Sequence, residues 1–134
     1  MSVAVRRRLA QIGGGPDPFR SRNSGRFNIT GAWSIRLASG GYHTDHVHPR
    51  GWLSGVCYVD VPAEIRDADP KVARPGWLRL GQPGIRTQPL LTPDLFVKPN
   101  PGALVLFPAY VWHGVEAFES PSARLTVAFD ALPA

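Results

Sequence analysis

Apolar and polar positions divide the chain into two parts. From Arg26 onward the pattern is that of short strands. Trp33, Ile35 and Leu37 alternate with Ser34 and Arg36, the period of a half-buried strand. Ser39-Gly40-Gly41 turns the chain, and Tyr42 to His48 predicts a second strand that Pro49-Arg50-Gly51 ends. Leu53 to Val61 is β-branched and aromatic and predicts a third, well-buried strand. Gly76 to Leu80, Leu95 to Lys98, Ala103 to Phe107, Val111 to Phe118 and Arg124 to Leu132 predict the remaining strands. Residues 62–75 and 82–93 are punctuated by proline and predict loops, the second one over the mouth of any site. No stretch has the length and period of a long helix. Many short strands separated by turns predict an all-β sandwich or barrel. A small antiparallel barrel holds packed side chains or one small ligand.

Residues 1–25 follow neither period. They carry Arg6-Arg7-Arg8, Gly13-Gly14-Gly15 and Pro16-Asp17-Pro18. Leu9 to Ile12 predicts one helical turn and no more. The expected organisation is a flexible basic leader over 1–25 and one domain over 26–134.

Composition changes this picture little, and charge changes it in one place. At 134 residues, 43% apolar and 19% charged, the chain is long enough for a real core and ordinary for a globular protein. Six of its 15 basic residues are Arg6, Arg7, Arg8, Arg20, Arg22 and Arg26, and only Asp17 opposes them there. The rest of the chain is neutral, so the net charge of +5 describes a solvated tail. The tail lacks interleaved aromatics for base stacking, so no specific nucleic-acid partner is expected. Nothing reads as a membrane span or a secretory leader. The single cysteine, Cys57, makes no internal disulfide and suits a reducing cytosol. The expected location is cytoplasmic.

The candidate chemistry lies in the histidines. Three of the four, His43, His46 and His48, fall in one strand, and the fourth is His113. On a regular strand His46 and His48 share a face, so two imidazoles would enter one cavity side by side. His113, from a distant strand, would complete one face of a metal site. His43 and Asp45 offer an alternative metal pair of opposite parity. Arg124 and Thr126 share a face of the last strand. An inward arginine requires an anionic partner, and its planar fork suits a carboxylate. Ser54 and Tyr58 share a face of the third strand by the same even spacing.

Several segments occur together in a particular order. They are Gly31-Ala32-Trp33-Ser34, His46-Val47-His48-Pro49, Gly51-Trp52-Leu53-Ser54-Gly55, Leu106-Phe107-Pro108, Trp112-His113-Gly114 and Arg124-Leu125-Thr126-Val127-Ala128-Phe129-Asp130. As a set they resemble bacterial Fe(II)- and 2-oxoglutarate-dependent oxygenases of the prolyl-hydroxylase-like type. The resemblance implies a double-stranded β-helix, a jelly-roll or cupin-like barrel. It implies Fe(II) on His46 and His113, with 2-oxoglutarate and O2 as cosubstrates. Arg124 would grip the distal carboxylate of 2-oxoglutarate with Thr126 beside it. Tyr58, facing Arg124 across the barrel, would bond the same carboxylate, and Ser54 is a further candidate for that pocket. The implied reaction hydroxylates a substrate, a peptide or protein side chain or a small metabolite, with release of succinate and CO2.

One departure matters. His48 stands where such enzymes usually place a carboxylate ligand. Three neutral imidazoles leave a divalent metal with its full charge and widen the choice of ion towards zinc. Two other readings use the same barrel. Gly40, five residues and His46-Val47-His48, then Gly102, five residues, Pro108 and His113, partly match a cupin, although the expected glutamate is missing from Gly51 to Gly55. A non-catalytic binding module would use Trp33, Trp52, Trp77 and Trp112, for which burial in the core is the commoner role.

Overall fold

The structure is a computed structural model and describes residues 1–134. Eight strands follow one another: β1 (Phe27–Leu37), β2 (His43–His46), β3 (Leu53–Asp60), β4 (Leu78–Leu80), β5 (Leu95–Val97), β6 (Leu104–Pro108), β7 (His113–Val115) and β8 (Arg124–Pro133). They form two four-stranded antiparallel sheets, ordered β1-β8-β3-β6 and β2-β7-β4-β5. The expected all-β double-stranded β-helix is the observed fold.

The first sheet is the rigid wall. It holds the three longest strands, with β8 paired to β1 on one side and to β3 on the other. On its inner face β8 presents Arg124, Thr126, Ala128 and Asp130, and β3 presents Ser54, Val56 and Tyr58, by strict alternation. The second sheet is made of short strands. Val115, Leu78 and Phe107 pack between the sheets as part of the core.

The outer face of the first sheet is not open to water. Residues Ser2–Ile12 form an 11-residue helix, α1, that lies against it. The expected flexible leader is therefore corrected over this stretch. Val5, Leu9 and Ile12 stand at i, i+4 and i+7 and make one apolar stripe. Val5 and Leu9 are fully buried against Trp52, Leu53, Phe129 and Ala131. Asn23 caps the far end by donating its side-chain amide to the carbonyls of Leu9 (2.8 Å) and Gly13 (3.0 Å). Trp52 stacks on Phe19 and donates its indole N–H to that residue's carbonyl at 2.9 Å, which ties residue 19 to the barrel. The helix also explains the unbroken apolar run Leu104-Val105-Leu106-Phe107. In β6 the leucines pack towards α1 and Val105 and Phe107 towards the second sheet. At Gly55 a Cβ would collide with the ring of Phe129, so this close strand crossing requires glycine.

Two loops also differ from expectation. Residues 62–75 contain a short helical turn, α2 (Ala63–Arg66), whose Ile65 is buried beside Trp77 and Phe118. Residues 82–93 contribute nothing to the cavity between the sheets. Gly84 instead lies against the backbone of Asp45 and the ring of Trp112.

Candidate metal centre

Strands β2 and β7 pair with His46 directly opposite His113. The His46 and His113 ring centroids are 4.2 Å apart. His48 lies just beyond the end of β2, where its backbone N–H donates to the Ala109 carbonyl at 2.9 Å. That bond continues the extended path, so His48 stays on the same side as His46. Its centroid is 5.0 Å from that of His113 and 5.2 Å from that of His46. One ring nitrogen from each of the three lies within 4.8 Å of the others.

The other nitrogens are accounted for. His46 Nδ1 lies 2.8 Å from the Thr44 carbonyl, and His113 Nδ1 lies 3.0 Å from the Val111 carbonyl. A carbonyl oxygen only accepts, so both Nδ1 atoms carry the hydrogen. His48 Nδ1 lies 2.7 and 2.6 Å from the two carboxylate oxygens of Asp130. Each ring therefore has Nδ1 engaged and Nε2 without a hydrogen-bond partner from the chain. Metal-binding histidines are held in this way, with the second nitrogen fixed by a carbonyl or carboxylate. Burial pushes His113 down to about 4, which keeps its ring neutral and able to bind metal at neutral pH. The donor set fits a divalent transition ion, and three facial nitrogens leave positions open for other ligands.

Arg124 shares this cavity, which has a volume of about 140 Å3. The residue is 2% exposed and makes no ion pair. Its Nε is buried without a hydrogen-bond partner, as is the Tyr58 hydroxyl. Burial pushes the arginine below its ordinary value and pushes the Tyr58 phenol up. The guanidinium carbon lies 5.2 Å from the centre of the Tyr58 ring. The two residues do not face each other across the barrel as expected. They stand on adjacent strands of one sheet, where Tyr58 pairs with Thr126. Thr126 is buried and lines the cavity beside Arg124.

Ser54 also lines the cavity, but its hydroxyl donates to Asp130 at 2.6 Å and is taken up there. Asp130 is the residue that sequence reasoning missed. The signal was present: residues 124, 126, 128 and 130 share one parity on β8.

The alternative pair His43 and Asp45 is not assembled. Asp45 turns away and accepts from Arg79 Nε at 2.7 Å, from Arg79 Nη2 at 3.1 Å and from Gln82 at 3.0 Å. His43 does line the cavity, against the parity argument, because the β2–β7 register shifts between His43 and His46. Burial lowers its pKa first, and the charges of Arg124 and His46 lower it further.

A jelly-roll barrel here brings into one cavity a histidine trio that could hold a metal ion and a buried arginine without an ion pair. Comparison with known proteins supplies the family. Residues 31–130 match the family described as "Putative 2OG-Fe(II) oxygenase", and the chain belongs to that family. A crystal structure of an oxidoreductase of the 2OG-Fe(II) oxygenase family from Burkholderia pseudomallei is similar, with a TM-score of 0.61 at 12% identity. The similarity covers 81% of this chain and 46% of that one, so this chain spans under half the length of that protein. An RmlC-like cupin protein from Desulfovibrio desulfuricans matches at TM-score 0.43 and 14% identity, over 78% of this chain and 80% of that one. KdgF from Halomonas sp. matches at TM-score 0.42 and 15% identity, over 78% of each chain. No curated protein matches the chain in sequence. No helix is long and apolar enough to cross a membrane.

Proposed function

We propose that this protein is an Fe(II)- and 2-oxoglutarate-dependent dioxygenase that hydroxylates a substrate with release of succinate and CO2. The observation that carries the reading is one cavity holding two things at once. It has three rings with Nε2 left free, and a buried guanidinium that no carboxylate of the chain neutralises. His46, His48 and His113 are the metal ligands. Bound there, Fe(II) would supply the activation of O2 that oxidises 2-oxoglutarate and a C–H bond of the substrate.

The chain's own residues hold and orient. The Thr44 and Val111 carbonyls and the Asp130 carboxylate fix the three rings before any ion arrives. Arg124 grips the far carboxylate of 2-oxoglutarate through its planar fork, and that anion relieves the buried charge. Thr126 and the unpartnered Tyr58 hydroxyl are further donors to the same carboxylate. Ile35, Leu78, Phe107 and Val115 make the cavity wall apolar, which limits water and strengthens the ionic contact. Trp33 lines the cavity yet is 49% exposed, so it marks the rim past which the substrate, a peptide or protein side chain or a small metabolite, approaches.

The test is release of labelled succinate from labelled 2-oxoglutarate. Wild-type protein should release it only with Fe(II), and Arg124→Ala should not at the same 2-oxoglutarate concentration. If the wild type binds metal but neither binds nor turns over 2-oxoglutarate, the cupin-like alternative takes its place.

A further inference from the structure

The histidine trio has an electrostatic problem that the surrounding residues bear on. Non-haem Fe(II) oxygenases commonly use two histidines and one carboxylate, which lowers the net charge of the centre. Three neutral imidazoles do not. A higher Fe(III) charge would then be held poorly, and the reduction potential would lie high. One ligand differs from the other two in what stands behind it. His46 and His113 end on peptide carbonyls, whereas His48 ends on the carboxylate of Asp130. Both Asp130 oxygens approach His48 Nδ1, at 2.7 and 2.6 Å, within the range of charge-assisted hydrogen bonds. No other carboxylate bonds to a ring of the trio.

Resting on the reading of this site as an iron centre, we propose that Asp130 supplies, one hydrogen bond further out, the negative charge that an all-histidine ligand set lacks. Pulling the Nδ1 hydrogen towards the carboxylate makes His48 a more electron-rich ligand, and this favours Fe(III) over Fe(II). Ser54 sets the strength of the effect. Its hydroxyl donates to the same carboxylate oxygen at 2.6 Å and so competes with His48 for its charge. The strand register fixes this geometry, since Ser54 on β3 is paired directly with Asp130 on β8. Asp130 is thus a positioning and tuning residue that acts through His48. The histidine that replaces a carboxylate ligand and the carboxylate behind it work as one unit.

The experiment compares Asp130→Asn and Ser54→Ala with wild type, reading Fe(II) affinity and the Fe(III)/Fe(II) potential of the loaded protein under anaerobic conditions. Asparagine is nearly isosteric and keeps one oxygen that can accept from His48 and Ser54; its amide N–H2 replaces the second oxygen beside His48 Nδ1, so the ring loses that contact along with the charge. Fe(II) affinity should fall about 10–100-fold in Asp130→Asn. Fe(III) affinity should fall at least about tenfold further, a positive shift in potential of about 59 mV or more. Ser54→Ala should move the potential the opposite way, because the carboxylate then acts on His48 alone. A fall in affinity with an unmoved potential would mean that Asp130 merely orients the ring, which overturns the proposal. If Asp130→Asn does not fold, Ser54→Ala decides, and an unchanged or raised potential counts against the charge role. Wild-type protein that fails to bind Fe(II) ends this proposal together with the proposed function. Normal wild-type binding with unresponsive potentials ends this proposal alone.

Discussion

Arg79 and Arg124 are both largely buried arginines on strands of the barrel, Arg79 on the outer face of the second sheet and Arg124 on the inner face of the first, and the chain treats them in opposite ways. Arg79, on β4, is clasped on two sides. It donates to Asp45 at 2.7 and 3.1 Å and to Glu116 at 3.0 Å, and the Asp45 bonds are the main reason its pKa is raised. Arg124, on β8, is more deeply buried and meets no carboxylate, and burial lowers its pKa. The first is a fastener that joins β4 to β2 and to the residue that follows β7. The second carries an uncompensated charge that costs stability until an anion arrives. A buried cation left open inside a cavity with metal-competent histidines is a feature that stability alone does not explain.

Arg79→Ala leaves the Asp45 carboxylate, 7% exposed, without its main partner. Unfolding free energy from urea titration should fall by about 3–5 kcal/mol. A loss under about 1 kcal/mol would show that the clasp is a weak surface-type pair.

His113 extends the contrast to a second group whose burial opposes charge. Its folded value of about 4 lies below the unfolded value, so between pH 6.5 and about 4 the unfolded chain binds more protons. Stability of the metal-free protein should therefore fall as pH drops through that window, by about 3 kcal/mol at most from this residue. His113→Gln should flatten the slope, and an equal slope in the variant would remove His113 as its source.

On the Arg124 side, Arg124→Ala should weaken 2-oxoglutarate binding about 100-fold or more, about 2.7 kcal/mol, with metal affinity nearly unchanged. Arg124→Lys should recover only part, since an ammonium lacks the planar fork. Calorimetry of both ligands on the same variants checks this. The smallest effect sharpens the comparison most. Arg124→Met, which keeps much of the volume, should stabilise the protein free of 2-oxoglutarate by about 1 kcal/mol or more, whereas Arg79→Met should destabilise it. The same sign at both positions would erase the distinction.

What the sequence disclosed follows from where local pattern decides the structure. The strands were legible because one face of each is buried, and that forces alternation. The histidine pair and the Arg124–Thr126 pair were legible through the same parity. The helix at Ser2–Ile12 was not, because its stripe is only Val5, Leu9 and Ile12, set among arginines and followed by three glycines. It is stabilised by tertiary contact with Trp52 and Phe129, which no window over residues 1–25 contains. His43 was misplaced because a shift in register breaks the parity that the argument assumed. Asp130 was missed because its role depends on pairing across strands with Ser54 and on contact with His48, 82 residues earlier.

In the proposed function, His46, His48 and His113 hold iron while Arg124 holds 2-oxoglutarate against it. Anaerobic titration of metal-free protein with Fe(II), followed by 2-oxoglutarate, tests it most directly. Fe(II) alone should bind without colour, and 2-oxoglutarate should then bring up a metal-to-ligand charge-transfer band in the green region, saturating at one equivalent per chain. Arg124→Ala should need far more 2-oxoglutarate to reach the same band, and His113→Ala should never show it. Fe(II) binding with no band at any 2-oxoglutarate concentration would contradict the account.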